Sequence, residues 1–93
     1  MGKILVQFTF PNMGLDVYEG VIKDLKAAGK GNIPERLYHV TAQRGNDFHV
    51  ADVWESEESF KQFGDTMVPL LIKNGGTPVE PVILPVYNII VPE

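Results

Sequence analysis

The order of hydrophobic patterns in this chain predicts a ferredoxin-like α+β fold, a four-stranded antiparallel sheet with two helices on one face. Four segments are rich in β-branched and aromatic residues, and two others repeat apolar residues at helical spacing. They follow in the order strand, helix, strand, strand, helix, strand. Right-handed crossovers then favour pairing of the fourth strand with the first, the first with the third, and the third with the second. We expect one domain over residues 1–93, because this length is too short for two cores.

The strands are predicted from alternation and from the residues that end them. In residues 3–10 every even-numbered side chain is apolar, so these side chains share one face. The second and third strands, residues 36–43 and 48–54, are joined by residues 44–47, whose Gly-Asn centre supplies the positive φ angles of a tight hairpin. The tail, residues 77–93, is extended and apolar, and its prolines place it at a sheet edge or at a bulge.

Both helices are predicted from apolar residues three and four positions apart. The first ends at Gly29, and its stripe consists of Tyr18, Val21, Ile22, Leu25 and Ala28. The second begins after Ser56, a good N-cap, and ends at residues 74–76. Its buried stripe consists of Phe60, Phe63, Met67 and Leu70 or Leu71. Pro69 lacks an amide hydrogen, so we expect it to kink or split this helix.

Composition excludes several classes of function. The net charge is −4 and the eight Lys and Arg residues are scattered, so nucleic acid and anionic membranes are poor partners. The chain has no cysteine, which rules out disulfides, thiolate zinc sites and cysteine nucleophiles. No metal-ligand spacing and no flavin or nicotinamide fingerprint is present, so we expect no cofactor. With no signal-peptide pattern and no membrane-length apolar run, we expect a cytoplasmic protein.

The predicted sheet is apolar on both faces, which predicts a homodimer. A sheet with helices on one face normally carries polar residues on the other. Here Leu5 lies opposite Ile4 and Val53 opposite Trp54, and the tail is apolar throughout. Such a patch is too large for a stable monomer. Packing of one sheet on the sheet of a second copy covers it most simply, while a large ligand or a covering tail would serve the same purpose.

The strand-to-helix segment DVWESEESF, residues 52–60, resembles the signature of the antibiotic-biosynthesis-monooxygenase-like proteins of the dimeric α+β barrel superfamily. The segment LYHV, residues 37–40, and the proline-rich closing strand after Gly75 and Gly76 are also similar to its small members. The resemblance spans nearly the whole chain. It implies a homodimeric barrel with a cavity between helices and sheet in each subunit.

Members of this superfamily do unrelated things, so the resemblance indicates fold better than function. Some are cofactor-free oxygenases of aromatic substrates, while others degrade haem, isomerise lactones or have no demonstrated activity. Haem-degrading members carry a tryptophan on the second helix, where this chain has Phe63, and a haem-ligating histidine further along it, near Lys73. Neither residue is present, so haem degradation is not expected.

The hairpin predicts the sharpest candidate site. A symmetric loop of two or four residues places Gln43 opposite Phe48, His39 opposite Asp52 and Leu37 opposite Trp54. An imidazole directly across from a carboxylate is within side-chain reach, and the carboxylate would orient it as a general base. The pair also has a structural interpretation, because a buried Asp52 needs a partner. A three-residue loop would shift the register and separate the pair.

Other side chains complete the predicted site. Trp54, Tyr18 and Phe63 are candidate walls for an aromatic ligand, although all three also fit simple core packing. Gln7 is a polar residue on a central strand that would line the cavity or bond across the dimer. The leading hypothesis is a small-molecule enzyme resembling cofactor-independent oxygenases, in which His39 removes a proton from an aromatic substrate. The alternative is a non-catalytic homodimer that binds a ligand or has a structural role.

Overall fold

The computed structural model describes residues 2–92 and shows the predicted order of elements. These are β1 (Ile4–Phe10), α1 (Leu15–Ala27), β2 (Arg36–Arg44), β3 (Asp47–Trp54), α2 (Glu57–Lys73) and β4 (Val82–Pro85). The strands form one sheet in the order β2-β3-β1-β4, and all neighbours are antiparallel. The ferredoxin-like fold class and the strand order are therefore confirmed.

One face of the sheet packs against both helices and forms the core. The even-numbered residues of β1 and of β3 point to this face, because side chains alternate along a strand. All of them are buried, and Asp52 is the only charged residue among them. The core residues are Ile4, Val6, Phe8, Phe10, Met13, Val21, Leu25, Phe48, Val50, Trp54, Phe63 and Leu71.

The β2–β3 hairpin turns over two residues, Gly45 and Asn46, which makes the register symmetric as predicted. Gly45 has a φ of 59°, and glycine takes this left-handed conformation without a steric penalty. Asn46 does not have a positive φ, so only one of the two expected residues supplies it. His39 lies opposite Asp52 in the ladder, which confirms the predicted pairing.

The prediction that Leu37 faces Trp54 is wrong, because β2 contains a bulge between Arg36 and Tyr38. Arg36 pairs with Trp54 and Tyr38 pairs with Val53, so Leu37 is the extra residue of β2. The bulge reverses the alternation at this end of the strand. Arg36, rather than Leu37, therefore lies on the helix side of the sheet.

The helix ends follow the sequence signals. Gly29 has a φ of 77° just beyond α1, and the Ser56 hydroxyl accepts a hydrogen bond from the Ser59 amide at 3.1 Å at the start of α2. Pro69 does not split α2, which runs as one helix from Glu57 to Lys73. Leu71, only 3% exposed, anchors the turn after Pro69 in the core, and this contact offsets the lost backbone hydrogen bond.

The other face of the sheet, which we call the open face, has no helix on it. Its most exposed apolar side chains come from β2 and β4, the two edge strands. They are Tyr38, Val40, Val82 and Leu84. Beyond β4 the chain is also exposed: Tyr87 is fully exposed and Ile90 is 86% exposed. The predicted position of the closing strand at a sheet edge is confirmed, although the strand itself has only four residues.

Asp24 ties the two helices together where both end. Its Oδ2 accepts a hydrogen bond from Asn74 Nδ2 at 3.0 Å and lies 3.3 Å from Lys73 Nζ. Asn74 Nδ2 also donates to the Leu70 carbonyl. A Cβ at Gly20 would collide with the Asn74 side chain, so glycine leaves room for this arrangement. The hydrogen bond from Asn74, and then Lys73, lower the pKa of Asp24 below its ordinary value of 3.8.

We expect Asp24→Asn to lower the Tm at neutral pH and to have no effect in strong acid. A carboxyl whose pKa is lowered on folding stabilises the native state above its unfolded pKa of 3.8, and this contribution is lost as the pH falls through the lower folded value. Thermal unfolding from pH 7 downward measures the difference. Asp65→Asn, at an exposed position on α2, is the control, and a Tm difference independent of pH would contradict the prediction.

Phe63 is the aromatic residue of α2 that packs most deeply, so Phe63→Ala should reduce the free energy of unfolding by roughly 3–5 kcal/mol. Its ring lies 5.0 Å from that of Trp54 and its side chain is 7% exposed. Urea denaturation measures the change, and Phe63→Met, which keeps most of the volume, should cost much less. A loss below about 1 kcal/mol for the alanine variant would contradict a core role.

Candidate active site

A small cavity lies between the helix side of the sheet and the two helices. Its volume is about 60 Å³, and its walls are mostly apolar side chains from β1, α1 and α2. Four polar residues also line it: Tyr18 from α1, Arg36 and His39 from β2, and Asp52 from β3. An apolar cavity with a few convergent polar groups is the usual form of a small-molecule site.

A chain of hydrogen bonds runs from this cavity into the core. The Tyr18 hydroxyl lies 2.7 Å from His39 Nε2, and His39 Nδ1 lies 2.6 Å from Asp52 Oδ1. The other carboxylate oxygen, Asp52 Oδ2, accepts from Trp54 Nε1 at 3.4 Å. Tyr18, His39, Asp52 and Trp54 therefore form one connected network.

The chemistry of the carboxylate sets the direction of these bonds. An ionised carboxylate can only accept hydrogen bonds, so His39 Nδ1 carries the proton that is donated to Asp52. In the neutral imidazole Nε2 is then an acceptor, and it receives the Tyr18 hydroxyl proton. The carboxylate thus fixes the orientation of the imidazole, and both the imidazole and the phenol that donates to it line the cavity.

The network is also structurally complete. Asp52 is 4% exposed and is the only buried charged residue in the part of the chain that the structure describes. Between residues 2 and 92, every buried side-chain nitrogen or oxygen has a hydrogen-bond partner. Burial of an unpaired carboxylate would be costly, so His39 and Trp54 serve the stability of the fold whatever else they do.

Two features of the sequence bring these residues together. The two-residue turn at Gly45 fixes the register that places His39 across from Asp52. Tyr18 belongs to the inward stripe of α1, and its ring packs 4.8 Å from that of Phe48 and stacks on His39 at 6.0 Å. The phenol oxygen thus reaches the imidazole edge from the helix layer.

The other predicted site residues divide into two groups. Phe63 lines the cavity, as Tyr18 does. Trp54 does not line it: the indole is fully buried behind Phe60 and Phe63, so the predicted ligand wall at Trp54 is wrong. Gln7 is not in the cavity either, because odd-numbered residues of β1 point to the open face.

Arg36 is the cavity residue that the sequence pattern did not indicate. Under regular alternation Arg36 and His39, three positions apart, would lie on opposite faces. The bulge at Leu37 places both on the cavity side. No residue type in this segment specifies a bulge, so the signal was absent from the sequence.

His49 lies on the open face and pairs with Thr9, whose hydroxyl is 3.2 Å from His49 Nδ1. It is thus separated from His39 by the sheet, because His49 and Asp52 are an odd- and an even-numbered residue of the same strand. No group of three or more histidine, cysteine or carboxylate side chains within residues 2–92 is arranged to hold a metal ion. Over the same residues, no helix combines the length and the apolar character that a membrane crossing requires.

Comparison with solved structures places the fold among known proteins. The chain superposes on a provisionally assigned antibiotic biosynthesis monooxygenase from Caulobacter crescentus with a TM-score of 0.65 and 22% identity, covering 95% of this chain and 91% of the other. A second provisionally assigned antibiotic biosynthesis monooxygenase, from Chloroflexus aurantiacus, gives a TM-score of 0.60 and 14% identity, with coverages of 97% and 98%.

A monooxygenase from the ActVA-Orf6 gene of Streptomyces coelicolor, solved in complex with Nanaomycin D, gives a TM-score of 0.62 and 17% identity over 99% of this chain and 93% of the other. No family model and no curated protein matches this sequence. The similarity to the three structures extends over almost the full length of each chain and lies in backbone geometry rather than in residue identity. This protein therefore has the fold of the antibiotic-biosynthesis-monooxygenase-like proteins.

Proposed function

We propose that this protein is a cofactor-independent oxygenase of small hydroxylated aromatic compounds. The observation that supports the proposal best is the Tyr18–His39–Asp52 chain at the wall of an apolar cavity. A phenol hydrogen-bonded to a histidine, itself held by a buried carboxylate, is a relay that removes a proton from a bound hydroxyl group. The monooxygenases with the same fold add support at the level of architecture.

The first step is a transfer of protons from the substrate to Tyr18 and from Tyr18 to His39. A substrate hydroxyl donates its proton to the Tyr18 oxygen as the Tyr18 proton passes to His39 Nε2. Asp52 faces the imidazolium that results and balances its charge. Tyr18 is neutral before and after the transfer. The substrate anion then reacts with molecular oxygen at a ring carbon that carries a hydrogen: a C–O bond forms, and the resulting peroxide takes back the proton held by His39. Loss of water, which removes the outer oxygen atom and the hydrogen of that carbon, leaves a quinone carbonyl.

The size of the cavity limits the substrate and requires a movement. Its volume of about 60 Å³ is smaller than the roughly 150 Å³ of a cavity known to admit a benzene ring. A ring enters only when lining side chains move apart. Met13 and Met67 both contribute to the wall, and methionine is the side chain that repacks most easily. We therefore infer substrates with one or two rings.

Loss of the relay should abolish catalysed oxygen uptake. An oxygen electrode, with hydroquinone, catechol and the naphthols as probes, measures the rate above that of protein-free solution. We expect Tyr18→Phe and His39→Ala to lower this rate by roughly 10²–10⁴-fold, the usual contribution of a positioned acid–base group. Tyr87→Phe removes the same hydroxyl from a fully exposed position and should leave the rate unchanged.

The same measurement decides between the proposal and its main alternative, a non-catalytic homodimer that binds a ligand or has a structural role. The complete hydrogen bonding of the buried network favours that alternative, because stability alone explains Asp52 and its partners. Oxygen uptake no faster than in protein-free solution with every probe would argue against an oxygenase. Full activity in both Tyr18→Phe and His39→Ala would show that catalysis does not use the relay.

We also propose that two copies associate through their open faces. Side chains that a monomer leaves in water include Tyr38 at 44%, Val40 at 60%, Val82 at 53% and Leu84 at 45% exposure. Together they form an apolar surface on one side of a single sheet, where β2 and β4 are also unprotected edges. A twofold axis that lies in the plane of the contact, parallel to the two sheets, turns the open faces toward each other and buries the same residues of both copies.

Light scattering should give twice the mass of one chain at micromolar concentration. Val40→Glu places a charge on the open face and should shift the equilibrium toward monomer, because burial of an unpaired carboxylate is costly. Ile72→Glu is the matched control, since Ile72 on α2 is similarly exposed, at 57%, but lies on the helix layer. A monomeric wild-type protein would contradict the proposed association.

A further inference from the structure

Arg36 is a cavity residue that the proposed proton relay does not use. We infer that Arg36 determines specificity: it selects aromatic hydroxy compounds that carry a carboxylate on the edge of the ring opposite the hydroxyl. The inference rests on the proposed function, since it assigns a substrate class to the same cavity. Its support comes from the position, the bonding and the charge of the Arg36 side chain.

The position of Arg36 follows from the bulge in β2. Arg36 pairs with Trp54 and His39 with Asp52, so the two side chains leave the same face of the sheet two ladder steps apart on β3. At about 3.3 Å per residue this is a separation of about 7 Å between their backbone positions. A ligand between them can meet both residues only with polar groups on opposite edges of its ring.

The guanidinium is held in place but keeps most of its hydrogen-bonding capacity. Arg36 Nη2 donates a hydrogen bond to the Gly31 carbonyl oxygen at 3.1 Å. The guanidinium carbon lies 5.4 Å from the centre of the Phe63 ring. A guanidinium has five N–H donors, and a carboxylate is the acceptor that matches two of them at once. Among residues 2–92, no carboxylate side chain forms an ion pair with Arg36.

Charge on the cavity walls gives the ligand one orientation. Asp52 lies behind His39 and would repel a ligand carboxylate at that end, whereas the positive charge of Arg36 attracts it at the other. The ligand hydroxyl then faces the Tyr18 oxygen. Most of the remaining wall is apolar, so an unpaired ligand carboxylate would be excluded from any other position.

Two ligands of nearly identical shape test this inference. Para-hydroxybenzoate carries a carboxylate where para-isopropylphenol carries an uncharged isopropyl group, so they differ in charge but hardly in size. Titration calorimetry and protein NMR measure the binding of each to wild-type protein and to Arg36→Gln. We expect the wild type to bind the carboxylate roughly tenfold or more tightly than its uncharged counterpart. Arg36→Gln should lose this preference and keep its affinity for para-isopropylphenol.

Two further variants separate recognition from support of the fold. Arg36→Lys keeps the charge but not the planar fork, so it should retain part of the preference. Arg44→Gln removes an exposed arginine at the other end of β2 and should retain all of it. If Arg36→Gln weakens both ligands equally, or if wild-type protein binds both equally, Arg36 only braces the Gly31 loop and the inference is wrong.

The failure of this inference is distinguishable from the failure of the proposed function. Preferential binding of para-hydroxybenzoate without oxygen uptake on any phenol would retain the role of Arg36 and refute the oxygenase. Oxygen uptake without a preference for the carboxylate would do the reverse. If neither ligand perturbs the cavity residues by NMR, the cavity does not take hydroxylated rings, and both proposals are refuted.

Discussion

The burial of one carboxylate, Asp52, imposes more on this fold than any other single interaction. A charged group removed from water requires partners for both oxygens, and the chain provides His39 from the neighbouring strand and Trp54 from the same strand. His39 in turn presents its second nitrogen to Tyr18 on α1. The hydrogen bonds that satisfy one buried charge thus extend from the sheet to the helix layer, and the last of them lies at the cavity wall.

The sheet separates this polar network from an apolar surface of the opposite kind. On the helix side, polar groups are few and those that are buried are hydrogen-bonded, while on the open face apolar groups are exposed. The cavity on the helix side is too small for an aromatic ring, and the apolar side chains of the open face are exposed to solvent. Side chains of β1 and β3 alternate between the two faces. Each residue that faces the cavity is therefore next in sequence to a residue that faces the open side of the sheet.

The sequence predicted the site where local rules determined geometry. The Gly-Asn turn defines a register, and the register alone brought His39 to Asp52. Tyr18 was identified because helical periodicity placed it on the inward stripe. The errors arose where tertiary packing decides. Trp54 is large and apolar, and whether such a ring walls a cavity or fills the space behind it depends on how Phe60 and Phe63 of the following helix pack against it.

Leu37 and Gln7 differ in what the sequence pattern could show. Gln7 follows strict alternation on β1 and lies on the open face, so of its two expected roles only the bond across a dimer stays a prediction. Leu37 broke the alternation, because a bulge adds one residue with little change in composition or hydrophobicity. The periodicity of apolar residues cannot reveal such an insertion, so the sequence did not show that Arg36 lies on the cavity side of the sheet.

The bulge also separates two properties of β2 that are coupled in a regular strand, its length and its register. Removal of Leu37 would leave Arg36 opposite Trp54 and Tyr38 opposite Val53, so the ladder would close without moving His39 from Asp52. Loss of the residue at this point would thus leave the pairing of β2 with β3, and the buried residues of β3, in place. A deletion at Leu37 would shorten β2 by one residue while Arg36 and His39 keep their places at the two ends of the cavity.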